Sequence, residues 1–277
     1  MVISRTNLTI LGLLCGLGLG CEPGVPAGTP QSLVPSCVSV ADGSIDAAEL
    51  PTAAGLRIRY VANQPGEDWP ERPGPGGGDN VAPVDRDFRD GPDDIGATFP
   101  IVDPATAWWG SRFPEATYAS PTSVAYPGLL GVYRASEIAV DLLGYVTAEE
   151  QPPASRTEVH YDEPVTVLQL PLRAGMSWGQ QSHFRDGVIA GVPEQAVEDW
   201  EFSVGEPESA LITGDIELRD VLPVSSTLTQ NYALSTAEPG AVTYSTLWLA
   251  PCFGELASVQ SGSEGPGPVR TYRRYAP

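Results

Sequence analysis

From Phe99 onward, short apolar stretches recur between turn signals, and few of them have the length or period of a helix. The stretches are LLGVYRA (129–135), IAVDLLGYV (138–146), VTVLQLPL (165–172) and VEDWEFSV (197–204), followed by ALITGDIELRDVL (210–222), SSTLTQNYAL (225–234), VTYSTLWLA (242–250) and FGELASVQ (253–260). Several show the period of two that marks a half-buried strand; Trp200, Phe202 and Val204, for example, alternate with Glu201 and Ser203. The run 138–146 suits either a strand or a short helix, because an unbroken apolar run does not decide. Segments 210–222 and 225–234 read as a strand pair. Upstream, residues 55–62 alternate in the same way, with Leu56, Ile58 and Tyr60 on one face and Arg57 and Arg59 on the other. The 30 Gly and 28 Pro discourage long helices. The expected fold is mainly β: a curved antiparallel sheet, half-open barrel or sandwich, with long loops and little helix.

The N-terminus reads as an export signal. Arg5 is the only charge before an apolar run from Leu8 to Gly20, which is shorter than the roughly 18 residues needed to span a bilayer. The run ends in LGLGC, similar to the lipobox of bacterial lipoproteins, although Gly18 stands where Leu or Val is usual. Cys21 is therefore the expected lipid-bearing first mature residue, with residues 1–20 as signal peptide. An ordinary cleaved signal that leaves Cys21 as a thiol is the alternative. Residues 21–36, rich in Pro and Gly, read as a flexible tether. Residues 37–277 read as one β-rich domain interrupted by an acidic loop at about 64–96. The expected address is the bacterial cell envelope, at the outer membrane or the periplasmic face, with the membrane as partner through the anchor.

The compartment constrains the cysteines. Of four, Cys15 leaves with the signal and Cys21 takes lipid. Cys37 and Cys252 remain as an even pair in an oxidising space, where disulfides persist. A bridge between them would join the start of the domain to its last strands; two buried free thiols are the alternative.

Charge and composition exclude whole classes of chemistry. The net charge of −20 opposes nucleic acid and anionic headgroups. There is no Lys, which removes the P-loop lysine, the Schiff-base lysine and the Ser–Lys dyad.

Three segments, PVTVLQLPLRAGMSW (164–178), VEDWEFSVGEPESALITGDIELRDVL (197–222) and YSTLWLAPCFGELASV (244–259), together resemble predicted bacterial envelope lipoproteins of unknown function. Those have a PL-x-x-G-x-x-W stretch, a strand pair and a final W-x-AP-x-x-G-x-x strand. DGSIDAAELPTAAGL (42–56) and residues 129–146 look similar too, so the resemblance spans roughly 37–261. It implies a curved sheet like that of half-barrel lipoprotein carriers, and no established activity. Where such proteins often have Gly after the AP, this chain has Cys252.

The remaining chemical motifs are weak. Gly175-Met176-Ser177-Trp178-Gly179 matches G-x-S-x-G, but a nucleophile elbow needs a following helix and a His later in the chain. The only His residues are His160 and His183, and the second follows too closely. A tight turn before a strand, with Trp178 packed inward, is the simpler reading. The run His160, Tyr161, Asp162, Glu163 reads as a surface turn before Pro164. Asp85, Asp87, Asp90, Asp93 and Asp94 could gather on Ca2+, but they miss the EF-hand spacing by one residue, and a solvated acidic loop is the simpler reading. Of Trp108 and Trp109, one should pack and one sit at a rim. No cofactor or metal is expected. The expected function is a non-enzymatic structural or binding role. A carrier of a lipophilic ligand within the curved sheet is the alternative, and a Ser177 hydrolase the more distant one.

Overall fold

The computed structural model describes residues 33–34, 37–39, 42–64, 73–78, 81–233, 240–261 and 269–276. The signal run, Cys21 and the tether up to residue 32 lie outside them. The strands are β1 (Ser44–Ile45), β2 (Arg57–Ala62), β3 (Gly76–Gly78), β4 (Val81–Val84), β5 (Arg86–Asp87), β6 (Ile95–Pro100), β7 (Tyr118–Pro121), β8 (Leu129–Ala135), β9 (Ala139–Thr147), β10 (Glu158–Gln169), β11 (Leu172–Arg173), β12 (Ser177–Ile189), β13 (Val192–Val204), β14 (Glu208–Ile212), β15 (Ile216–Tyr232), β16 (Ala241–Ala250), β17 (Gly254–Ser261) and β18 (Val269–Tyr275).

Twelve of them form one antiparallel path in the order β6-β2-β18-β17-β16-β15-β13-β12-β10-β9-β8-β7. The path is an up-and-down meander from β7 to β18, completed by the N-terminal pair β2 and β6. Where β6 meets β7, Val102 and Ala119 exchange backbone hydrogen bonds of 2.8 and 3.1 Å. The sheet is thus a nearly closed barrel, and closure removes the exposed edges that an open sheet would present. Of the expected outcomes the barrel holds, and the sandwich does not.

The structure decides one open sequence reading and corrects another. Residues 139–147 are strand β9, and the near-continuous apolar run has a cause. Both faces are covered: Leu142 packs inside the barrel, and Leu143 packs outside against Trp109 and Phe113 of the 3-10 turns between β6 and β7. Segments 210–222 and 225–234 are not a pair, because residues 216–232 form the single strand β15. Its first half pairs with β14 and its second with β13. Pro223 lies at the changeover, and its carbonyl accepts from the Gly205 N–H at 2.9 Å.

The acidic stretch at 64–96 is not simply a loop, for it contains β3, β4 and β5. β5 runs parallel to β14, and Phe88 packs against Trp248 on the outer wall. Arg86 grips Glu208 through two hydrogen bonds of 2.7 and 2.8 Å, and Trp248 donates to the same carboxylate at 3.0 Å. Likewise His160–Glu163 lies inside β10 rather than in a turn, with Tyr161 buried.

Cys37 and Cys252 form a disulfide with Cα atoms 5.7 Å apart, across 215 residues. Cys252 lies in the turn between β16 and β17 at φ +66°, the left-handed region that Gly enters freely and other residues resist. Leu33 and Val34, within the expected tether, both donate to the Cys252 carbonyl at 3.1 Å.

One barrel end is sealed. Residues 44–50 cross it, with β1 paired to β11, and drive Ile45 and Leu50 into Leu172, Leu222 and Leu249. Ile45, Leu172 and Leu222 are all fully buried. The other end contains a cavity.

Candidate functional site

Period two directs alternate side chains of the barrel strands inward, except where a register shift breaks the alternation. Near the sealed end these are apolar. Toward the other end, β16, β17 and β18 turn polar groups inward: Ser245 on β16, Glu255, Ser258 and Gln260 on β17, Thr271 and Arg273 on β18. The ladder register sets them in two transverse rows. Ser245 pairs with Gln260, which pairs with Thr271; Leu247 pairs with Ser258, which pairs with Arg273. Together with Asn63, Ile95 and the Thr122–Tyr126 loop they line a cavity of about 830 Å³. That volume lies within the range of small-ligand pockets.

Arg273 forms the inner wall. It meets Glu255 through two hydrogen bonds of 2.7 and 2.6 Å, donates to the Thr122 carbonyl at 3.2 Å, and lies 5.0 and 5.1 Å from the ring centres of Tyr60 and Phe99. Burial opposes its charge, but the attraction of Glu255 outweighs burial and holds the guanidinium above its ordinary pKa. Tyr133, stacked on Tyr118 at 5.0 Å, is pushed up to about 12 by burial, against the pull of Arg273. Burial likewise raises Tyr60 and Tyr118 well out of the physiological range. All stay neutral, so the inner wall holds one compensated charge pair among uncharged rings.

A second polar group lies across the interior. Glu198, 2% exposed, accepts from Tyr161 at 2.6 Å, from the Trp200 indole at 3.1 Å and from Gln230 at 2.9 Å. Gln230 also donates to the Tyr232 hydroxyl at 2.9 Å. Burial first, then Tyr145 and Glu198, raise the Tyr161 phenol well above its ordinary value. With three donors on the carboxylate, this cluster is satisfied and structural in its chemistry. Trp178, Phe202 and Trp200 stack beside it, with ring centres 5.1 and 5.8 Å apart.

The residues singled out from sequence are scattered. Cys21 lies outside the described residues. Ser177 opens β12 exposed to solvent, with no helix after it. His183 is six residues further along the same strand, about 20 Å away at strand rise, and is engaged with Asp162 at 2.9 Å. His160 stacks on Phe113 at 3.9 Å. Asp85 accepts from the Ser209 backbone and hydroxyl, both at 2.8 Å, and Asp87 from Arg89, so these carboxylates are committed to protein donors. Trp109 is fully buried, while Trp108 donates to the Thr147 carbonyl at 3.0 Å beneath the guanidiniums of Arg112 and Arg156. Among the described residues, the one group with donor atoms close enough to hold an ion is Cys37, Glu49 and Cys252. Its two sulfurs are bonded to each other.

The cavity residues were not singled out from the sequence. RTYRRY near the C-terminus lies beyond the last stretch read as a strand, so Arg273 had no inward face to be placed on. No helix among the described residues is long and apolar enough to cross a membrane. No protein-family model, curated protein or solved structure matches this chain.

Proposed function

We propose that this chain is a lipid-anchored protein of a bacterial cell envelope, held through Cys21, whose barrel binds a ligand in its open end and does no catalysis. The observation that carries the reading is the cavity of about 830 Å³ lined by inward side chains of consecutive strands. A barrel that served only as a scaffold would gain stability by filling that space, since interiors are otherwise close-packed. Two further features support the reading. The outer wall carries a polar row on adjacent strands, with Gln181 bonded to Asp199 at 2.8 Å and Gly179 beside Glu201. Such charges would be costly facing lipid, so the barrel stands in water and needs a tether to stay at a membrane. The disulfide suits an oxidising compartment.

A lipophilic ligand is the second reading, favoured by Ile95, Val124 and Leu247 in the lining. Native mass spectrometry of the protein extracted from its own membranes tests both the anchor and the occupant. The expected spectrum shows a diacylated Cys21 and a non-covalent mass that Ser258→Trp removes. An unmodified Cys21 refutes the anchor. An identical bound mass on the Ser258→Trp variant refutes the site.

A further inference from the structure

The cavity wall itself specifies what kind of molecule it takes. Resting on the reading of the barrel as a binding module, we infer that the ligand is a neutral, hydroxyl-rich molecule: a saccharide.

The charges in the cavity wall are already spent on each other. Glu255 and Arg273 are the charged side chains lining the cavity, and they are joined by two hydrogen bonds of 2.7 and 2.6 Å. Arg273 has further commitments to the Thr122 carbonyl, Tyr60 and Phe99. An anionic ligand would have to break that pair, and the chain's net charge of −20 would repel it on approach. A cation would need Glu255 released and would face Arg273. Neither sign has an unspent partner.

Uncharged polar groups, by contrast, are in supply. Ser245, Gln260 and Thr271 form one transverse row, with Ser258 in the next. Among the described residues, none of these four side chains makes a hydrogen bond to another protein group. Three are half-buried and Gln260 is exposed. Three hydroxyls and an amide, each able both to donate and to accept, match a ligand whose own groups do both. An acyl chain would strand them without partners, and each polar group desolvated without a partner opposes binding. Specificity arises in the same way, since a site built to hydrogen-bond hydroxyls rejects an analogue that lacks them.

An aromatic ring completes the site. Tyr126 lines the cavity from the Thr122–Tyr126 loop yet remains 66% exposed. A large ring left open at a polar cavity offers a flat apolar face to the C–H side of a sugar ring. The apolar patches Ile95 and Leu247 serve the same mixed surface.

The test is saturation-transfer NMR on the full chain, using neutral tri- and tetrasaccharides of glucose and of N-acetylglucosamine, with palmitate and inorganic phosphate as competing probes. The inference expects a neutral oligosaccharide to be saturated, while palmitate and phosphate are not. Gln260→Ala combined with Thr271→Val should weaken binding about tenfold, the loss of one or two neutral hydrogen bonds. Ser258→Trp should abolish it, and Thr227→Trp on the outer wall should leave it unchanged. Circular dichroism on each variant separates lost binding from lost fold. If palmitate or phosphate binds in place of the sugars and Ser258→Trp blocks it, the saccharide assignment is overturned while the cavity remains a binding site. If no probe binds, or if binding survives Ser258→Trp, both the saccharide and the cavity are overturned.

Discussion

A guanidinium that faces a barrel interior must be compensated there, and Arg273 finds its compensation in Glu255, with the two side chains 15% and 18% exposed. Because one side of the pair is wet, it belongs between the surface and buried limits of ion-pair energetics. Arg273→Met alone should destabilise the fold by about 2 kcal/mol, since Glu255 is left facing Tyr60 and Tyr133 without a partner. Adding Glu255→Met should recover much of that loss, a non-additivity that urea titrations of the four variants would reveal. A second residue-scale effect is pH-dependent. Burial opposes the charge of Glu158, but hydrogen bonds from Arg112 and His160 outweigh it and hold the carboxylate below its ordinary 4.5. A carboxylate with a lowered folded pKa contributes stability that is present above the unfolded value and lost as pH falls through the folded one. The midpoint of thermal unfolding should therefore fall as pH drops below about 4.5. Glu158→Gln should start lower at neutral pH and change less across that window, as calorimetry between pH 3 and pH 7 would report.

At the scale of elements, the Cys37–Cys252 link joins the segment ahead of residues 44–50, which seal one barrel end, to the turn after β16. Its closed loop of 215 residues gives about 5 kcal/mol by chain entropy, an upper figure because denatured chains retain structure. Cys37→Ser with Cys252→Ser should lower the urea midpoint accordingly. In a Cys37→Ser background, Cys252→Gly should be more stable than Cys252→Ala by about 1 kcal/mol, because φ +66° at that turn penalises any Cβ. Strands were legible where large apolar residues alternate with polar ones, as Trp200, Phe202 and Val204 do in β13, but β12 was missed because its Gly, Gln, Ser and His carry little apolar contrast. β9 was ambiguous because the turn bearing Trp109 covers its outer face and erases the alternation. β15 was split in two because Pro223 reads as a breaker until its change of partner is known. The cavity was illegible for a related reason. A register shift between Trp248 and Leu249 alters how β17 faces β16, so parity in sequence does not say which of its polar residues point inward.

The whole molecule is a cup: twelve strands nearly closed by the Val102–Ala119 bridge, sealed at one end by residues 44–50 and hollow at the other. Its lining differs from the continuous apolar interior expected of a lipid carrier, since hydroxyls, an amide and a compensated ion pair stand among the apolar groups. Outside this cup the anchor proposal predicts a simple change of address. Cys21→Ser should move the protein from the membrane pellet to the soluble envelope fraction, and a variant that stays in the pellet would refute lipidation. The hollow end decides the rest, and stability reads it without any ligand. Introducing an indole into a packed interior costs typically 1–3 kcal/mol, whereas a cavity of about 830 Å³ can accept one. The urea-unfolding free energy of Ser258→Trp is the most direct measurement. A value within about 0.5 kcal/mol of the parent is the expected result for an open lumen, and a loss of about 2 kcal/mol or more would show the interior to be filled and the cup reading wrong.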